Sequence, residues 1–213
     1  MLGRTHASLR RNRQDALASG KGEWGAFGVV SDGCGSAPHS EVGATLTASV
    51  AGNRLRASLR RGVAPLAALR DAHAAVLRCL RGVALLCATS SDEAETVDHD
   101  HLLATLVAFA MNREQAAILV VGDGMVRVDD TIVAHAHDDA PAYVSRAARA
   151  DLERAFPAAR AVAIATDGFD PESFDAISRV SSTDLTRHMT IRQRAGAFTD
   201  DAAIVVARRE VES

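Results

Sequence analysis

The sequence predicts an α+β fold in which antiparallel sheets are covered by paired helices, and two observations carry that prediction. The segments run strands, two helices, more strands, further helices and a last strand, which is not the strict alternation of a doubly wound parallel sheet. Several strand-like runs also follow one another across very short polar links, as antiparallel neighbours do.

Taken in order, residues 14–31 read as a strand pair joined by the polar turn Ser19-Gly20-Lys21-Gly22. A Gly-rich loop, Gly33-Cys34-Gly35-Ser36, separates it from a helix starting near Ser40, with Val42, Leu46, Val50, Leu55 and Leu59 at near-helical spacing. Ser40 or Ser36 is the expected N-cap. Pro65 opens a second helix, its apolar stripe Leu66, Leu69, Ala72, Val76 and Leu80. Residues 90–101 are polar and read as a loop, and strands follow at 102–111, 115–121 and 125–134. Asn112-Arg113-Glu114 and Gly122-Asp123-Gly124 are the expected hairpin links. The spacing from Val144 to Phe156 predicts a helix closed by Pro157, and residues 160–166 a strand buried on both faces. Short helices at 171–177 and 183–191 precede the final strand.

The chain has 213 residues, enough for one large domain spanning 1–213, and 47% hydrophobic content with 4% aromatics points to a core of Ala, Val and Leu. With 24 basic against 27 acidic residues the net charge is −3, so no global field favours nucleic acid or an anionic membrane. Positive charge is local, in Arg4, Arg10, Arg11 and Arg13. Three cysteines without CxxC spacing argue for a reducing compartment, with the cytoplasm as the expectation. No apolar run reaches the roughly 20 residues of a membrane span, and the first residues carry no apolar signal core.

The chemistry lies in four aspartates at the ends of apolar strands. The run ending at Ser31 gives Asp32-Gly33, the run ending at Gly122 gives Asp123-Gly124, the run ending at Thr166 gives Asp167-Gly168, and Asp200-Asp201 opens the last strand. A short carboxylate on a rigid strand end, next to a Gly that lets the backbone turn, can aim hard oxygen ligands at a shared divalent cation. Taken singly, an Asp-Gly is more often a turn.

In this order the segments Arg10-Arg11-Asn12-Arg13-Gln14-Asp15, Val30-Ser31-Asp32-Gly33-Cys34-Gly35 with Glu41, Ala104-Thr105-Leu106 with Val121-Gly122-Asp123-Gly124, and Ala165-Thr166-Asp167-Gly168-Phe169 with Thr199-Asp200-Asp201 resemble the protein phosphatase 2C family. These are the metal-dependent Ser/Thr phosphatases, and the spelling is that of a compact bacterial branch. The resemblance implies a four-layer αββα sandwich of two antiparallel sheets flanked by helix pairs. It also implies two Mg²⁺ or Mn²⁺ ions at one end, about 4 Å apart. Asp32 would bridge them, Asp15 and the Gly33 carbonyl would ligate one, Asp167 and Asp200 the other, and Asp123 a weaker third. Arg10, or Arg11 if the register slips, would clamp the phosphate through its guanidinium. The implied substrate is a phosphoserine or phosphothreonine protein, with no nucleic acid or membrane partner.

Departures from the family pattern accompany the match. Gln14 replaces a Glu, Asp201 an Asn, and Cys34 stands where some members carry a His proposed as general acid, leaving His39 or His6 to fill that role. The stretch between Gly124 and Asp167 is short for the flap that larger members use near substrate. Cys34 reads as a small packed residue, Cys79 and Cys87 as core, and His99, His101, His135 and His137 as surface or loop residues. Two rival readings remain: a non-catalytic signalling module that keeps the sandwich, and a phosphatase of small phosphorylated metabolites.

Overall fold

The computed structural model describes residues 1, 13–135, 141–198 and 200–209. Arg4, His6, Arg10, Arg11, His137 and Thr199 lie outside the described residues. Nine strands form two antiparallel sheets among these residues. The first has the order β1 (Ala16–Gly22), β2 (Gly25–Ser31), β3 (Leu106–Met111), β4 (Gln115–Val121), β7 (Leu152–Pro157). The second has the order β6 (Thr131–His135), β5 (Gly124–Val128), β8 (Ala161–Ala165), β9 (Ile204–Arg208).

Strand alternation sorts the apolar residues into layers. On β4, Ala116, Ile118 and Val120 face the second sheet and meet Val30, Phe109, Val126, Ile164 and Val205. Their neighbours Ala117, Leu119 and Val121 face α2 (Pro65–Leu86), which packs beside α1 (Glu41–Arg60) over β1 and β2, and Leu55, Leu69, Val76 and Leu80 are buried in this layer. The outer face of the second sheet, with Met125, Ala163 and Ala165, is covered by α4 (Pro171–Ser178) and α5 (Ser182–Arg194) through Phe174, Ile177 and Met189. The layers are helix, sheet, sheet, helix.

Several local expectations are corrected. The first hairpin turns at Glu23-Trp24 rather than at Ser19–Gly22, because the Phe27 ring lies over Gly20, where a Cβ would come within 2.6 Å of it. The stretch read as one strand to residue 134 is a hairpin turning at Asp129-Asp130. Asp129 takes φ 51° there, and its carboxylate accepts the Arg160 and Ala161 N–H groups. Gly122-Asp123-Gly124 is not a hairpin link but the crossover from one sheet to the other. The polar run after Ser90 forms α3 (Ser91–Val97), capped by the Ser90 side chain, and then a wide π-type turn, Asp98–Leu102. The third strand starts at Leu106, later than its apolar run suggested.

The helix expected over 144–156 does not form. Residues 152–157 instead pair along the outer edge of β4, whose backbone groups would otherwise stand open, and an edge strand tolerates the Pro157 that ends it. Cys79 is only partly buried and Cys87 is exposed, so neither belongs to the core. No helix among the described residues is long and apolar enough to cross a membrane.

Phe109 is fully buried between the sheets. Phe109→Ala is expected to cost about 3–5 kcal/mol of unfolding free energy, measured by urea denaturation. A cost near zero would mean the two sheets do not pack on one shared interior.

Candidate metal centre

The candidate carboxylates gather at one end of the sandwich, where strands of both sheets stop. Asp32 leaves β2 and is held by Thr105, whose N–H donates to the Asp32 carbonyl at 2.8 Å and whose Oγ1 accepts the Asp32 N–H at 3.1 Å. The Ser31 hydroxyl donates to the Thr105 carbonyl at 2.6 Å. Gly33 bridges to Ala104, and the Cys34 N–H donates to the Leu103 carbonyl at 3.0 Å. Three successive residues after β2 are thereby fixed to one stretch of chain.

Asp15, just before β1, is buried and tied to the second sheet. The Thr166 hydroxyl donates to its carboxylate at 2.7 Å and accepts the Ala203 N–H at 3.0 Å. Asp201 is a structural pin: its carboxylate accepts the Gln14 N–H at 2.6 Å, across the gap between the sheets. Gly168 fits because a Cβ there would lie 1.8 Å from the Asp201 carbonyl. The Asp200 carboxylate accepts the Asp201 N–H at 2.8 Å, which sets its loop. Asp123 sits between Gly122 and Gly124, both at positive φ (87° and 142°), a backbone that L side chains rarely adopt. The Gly122 N–H donates to the Asp151 carboxylate at 2.7 Å.

Electrostatics show which groups share the space. Asp32 is pushed well above the usual carboxylate range, first by burial, then by the charge and hydrogen bond of Asp15 and the charges of Asp167 and Asp123. Asp15 is also raised, again chiefly by burial, although hydrogen bonds from Asp32 and Thr166 pull it back. Asp167 is pushed up to about 6 by desolvation and by Asp123, Asp15 and Asp200. It stays open to solvent at the rim, so its elevation is the most easily screened of the three. Asp15 and Asp32 are therefore close enough for each carboxyl to disfavour the charge of the other, a burden that nearby positive charge would relieve.

A divalent, oxygen-preferring cation suits this donor set. Among the described residues no three of these groups are already spaced as ligands of one ion. Gln14 adds a second sign of fit. Its amide nitrogen donates to Ser40 Oγ at 2.6 Å, while its buried Oε1 has no hydrogen-bond partner among the described residues.

The other predicted site residues fall as follows. Ser40 occupies the N-cap position of α1 but makes no capping bond; its hydroxyl donates to the Cys34 carbonyl at 2.9 Å instead. His39 is exposed, stacked on His101 at 5.1 Å, with Nδ1 3.8 Å from Glu41. His99 pairs with Asp100 at 2.9 Å. Cys34 is partly buried, with its Sγ 3.1 Å from Ser36 Oγ and accepting the Tyr143 hydroxyl at 3.1 Å. Sequence reasoning missed Thr105, Thr166, Tyr143 and Asp151 as positioning groups. The two threonines stood inside the quoted motifs, whereas Tyr143 and Asp151 carried no local signal.

The family model described as protein phosphatase 2C matches residues 2–200 of the sequence. The chain belongs to the protein phosphatase 2C family. By family it is a metal-dependent protein Ser/Thr phosphatase. Similar solved structures include the serine/threonine phosphatase Stp1 of Staphylococcus aureus, at 12% identity and TM-score 0.67, covering 99% of this chain and 93% of that one. The serine/threonine phosphatase PstP/Ppp of Mycobacterium tuberculosis is similar at 16% identity and TM-score 0.64, covering 94% and 93%. The catalytic domain of PstP in complex with two manganese ions matches at 16% identity and TM-score 0.61, covering 92% and 90%. At these identities the likeness is one of fold. No curated protein sequence matches the chain.

The raised carboxyls set the pH dependence of the metal-free protein. The folded state keeps protons that the unfolded chain releases above the ordinary aspartate value, so their contribution is greatest at low pH and is lost as pH rises through the folded values. In chelator, Asp32→Asn is therefore expected to gain melting temperature relative to wild type as pH rises from about 4 to about 7. Scanning calorimetry across buffers checks it; a gain that shrinks with rising pH would contradict the raised carboxyl values.

Proposed function

We propose that this phosphatase hydrolyses phosphoserine and phosphothreonine monoesters on proteins, with Asp15, Asp32, Asp167, Asp200 and the Gly33 carbonyl holding two Mg²⁺ or Mn²⁺ ions and Asp123 a third. The supporting observation is the meeting of Asp15 and Asp32 in a buried pocket that also feels the charges of Asp123 and Asp167. When bound, the ions supply positive charge against the phosphoryl oxygens and lower the pKa of a water that serves as nucleophile.

The chain's own residues do the positioning. Thr105 fixes the backbone on both sides of Asp32, and Thr166 holds one oxygen of Asp15 so that the other is left to face the pocket. The Gln14 amide oxygen orients water next to Asp15, a role that an uncharged group can fill. On the family resemblance, Arg10 is the phosphate clamp, as a bidentate donor to two phosphoryl oxygens. Residues 1–213 are read as a single catalytic domain acting on soluble phosphoproteins, without nucleic acid or membrane as partner.

Retention of Asp15, Asp32, Asp167 and Asp200 together favours catalysis over a non-catalytic module, which would need none of them. With Mn²⁺, purified protein is expected to release phosphate from a phosphoserine peptide, and Asp32→Ala to lower kcat/KM by at least about a hundredfold. Turnover that ignores both metal and Asp32 would overturn the reading. Turnover confined to small phosphorylated metabolites would move the substrate class and leave the chemistry.

A further inference from the structure

Residues 141–151 are the part of the chain beside the carboxylates that the proposed chemistry leaves unused. They form neither helix nor strand, yet they are firmly anchored. The Val144 N–H donates to the Ala104 carbonyl at 2.9 Å, and the Asp151 N–H donates to the Val120 carbonyl at 2.9 Å. Arg146 Nε donates to the Asp98 carboxylate at 2.7 Å, and Arg81 Nε donates to the Ser145 carbonyl at 3.2 Å. The buried His73 meets the Ala147 carbonyl at 3.1 Å.

This strap crosses two of the carboxylate loops at once. The Ala142 carbonyl abuts Gly122, where a Cβ would come within 2.6 Å of it, and Val144 is bonded to Ala104, the residue bridged to Gly33. Tyr143 lies between these two anchors. Its hydroxyl donates to Cys34 Sγ at 3.1 Å, two residues beyond Asp32. A thiol sulfur is a weak acceptor, so the hydroxyl can be re-aimed at a stronger one at little cost. Burial, the bond to Cys34 and the charges of Cys34, Asp123 and Asp32 push the Tyr143 phenol well above its ordinary range, which keeps it a neutral O–H donor throughout the physiological range.

We propose that, as water forms its new bond to phosphorus and the bond to the serine or threonine oxygen breaks, Tyr143 directs its hydroxyl to that departing oxygen and stabilises the charge that builds there until a proton given up by the water converts it to the free hydroxyl. The assignment rests on the phosphatase reading above. Cys34 cannot take this role, because a thiol is only a weak donor. A phenol held on an anchored strap is already in place when the charge develops, which is the condition for a strong electrostatic contribution. Being neutral, it adds no charge to repel the phosphate.

Two substrates separate a leaving-group contact from a scaffold role. The p-nitrophenolate leaving group is stable unaided, whereas a serine alkoxide needs help. Tyr143→Phe keeps the ring and its packing, so with Mn²⁺ its kcat on a phosphoserine peptide is expected to fall about tenfold to a hundredfold while its kcat on p-nitrophenyl phosphate falls less than about threefold. Its melting temperature is expected to match wild type. Equal losses on both substrates, or no loss on either, would overturn the assignment. Wild-type protein that turns over neither substrate with Mn²⁺ would instead sink the phosphatase reading, and this proposal with it.

Discussion

The structure depends on the mutual repulsion of carboxylates held together by the ends of two different sheets. Asp32 comes from the first sheet, Asp15 from its edge, and Asp167 and Asp200 from the two strand ends of the second. Left to themselves these groups would separate or take up protons, and burial together with the neighbouring charges raises Asp15, Asp32 and Asp167. What prevents separation is the frame. The bond from the Gln14 N–H to Asp201, the Thr166 hydroxyl on Asp15 and the Thr105 clamp on Asp32 all join chain segments far apart in sequence. On the proposed reading, the inter-sheet core stabilises a strained arrangement of charge that a divalent cation relieves.

That tension accounts for the local chemistry of the surrounding residues. Small hydroxyls dominate the shell, since Ser31, Ser40, Thr105 and Thr166 are all buried and all bonded to backbone or to carboxylates. A hydroxyl can donate to a carboxylate and accept from an N–H at the same time, as Thr166 does between Asp15 and Ala203. Gln14 in place of a carboxylate lowers the negative charge of the pocket, and Asp201 restores some of it as an acceptor for backbone rather than as an open ligand.

Much of this was legible in the sequence, because strand ends are a local property. Asp32-Gly33 and Asp167-Gly168 end apolar runs, and β2 and β8 do stop there. The αββα layering followed from the element order and the resemblance together. Long-range demands hid the rest. The spacing from Val144 to Phe156 satisfies a helix, but the open edge of β4 recruits residues 152–157 as a strand, and no local pattern registers an edge formed by residues 115–121. The misplaced first turn has the same origin: Gly20 looks like a turn residue until the Phe27 ring is known to lie over it. With the helix reading in place, Tyr143 and Asp151 could not be recognised as residues of a strap beside the carboxylates.

Crystals of the protein soaked in Mn²⁺ and measured at the manganese edge test the central claim most directly. The account predicts two strong anomalous peaks about 4 Å apart, with oxygens of Asp15, Asp32, Asp167 and Asp200 around them at about 2.1–2.2 Å. Fully occupied, well-ordered crystals with no peak among these side chains, or with manganese bound only elsewhere, would contradict it.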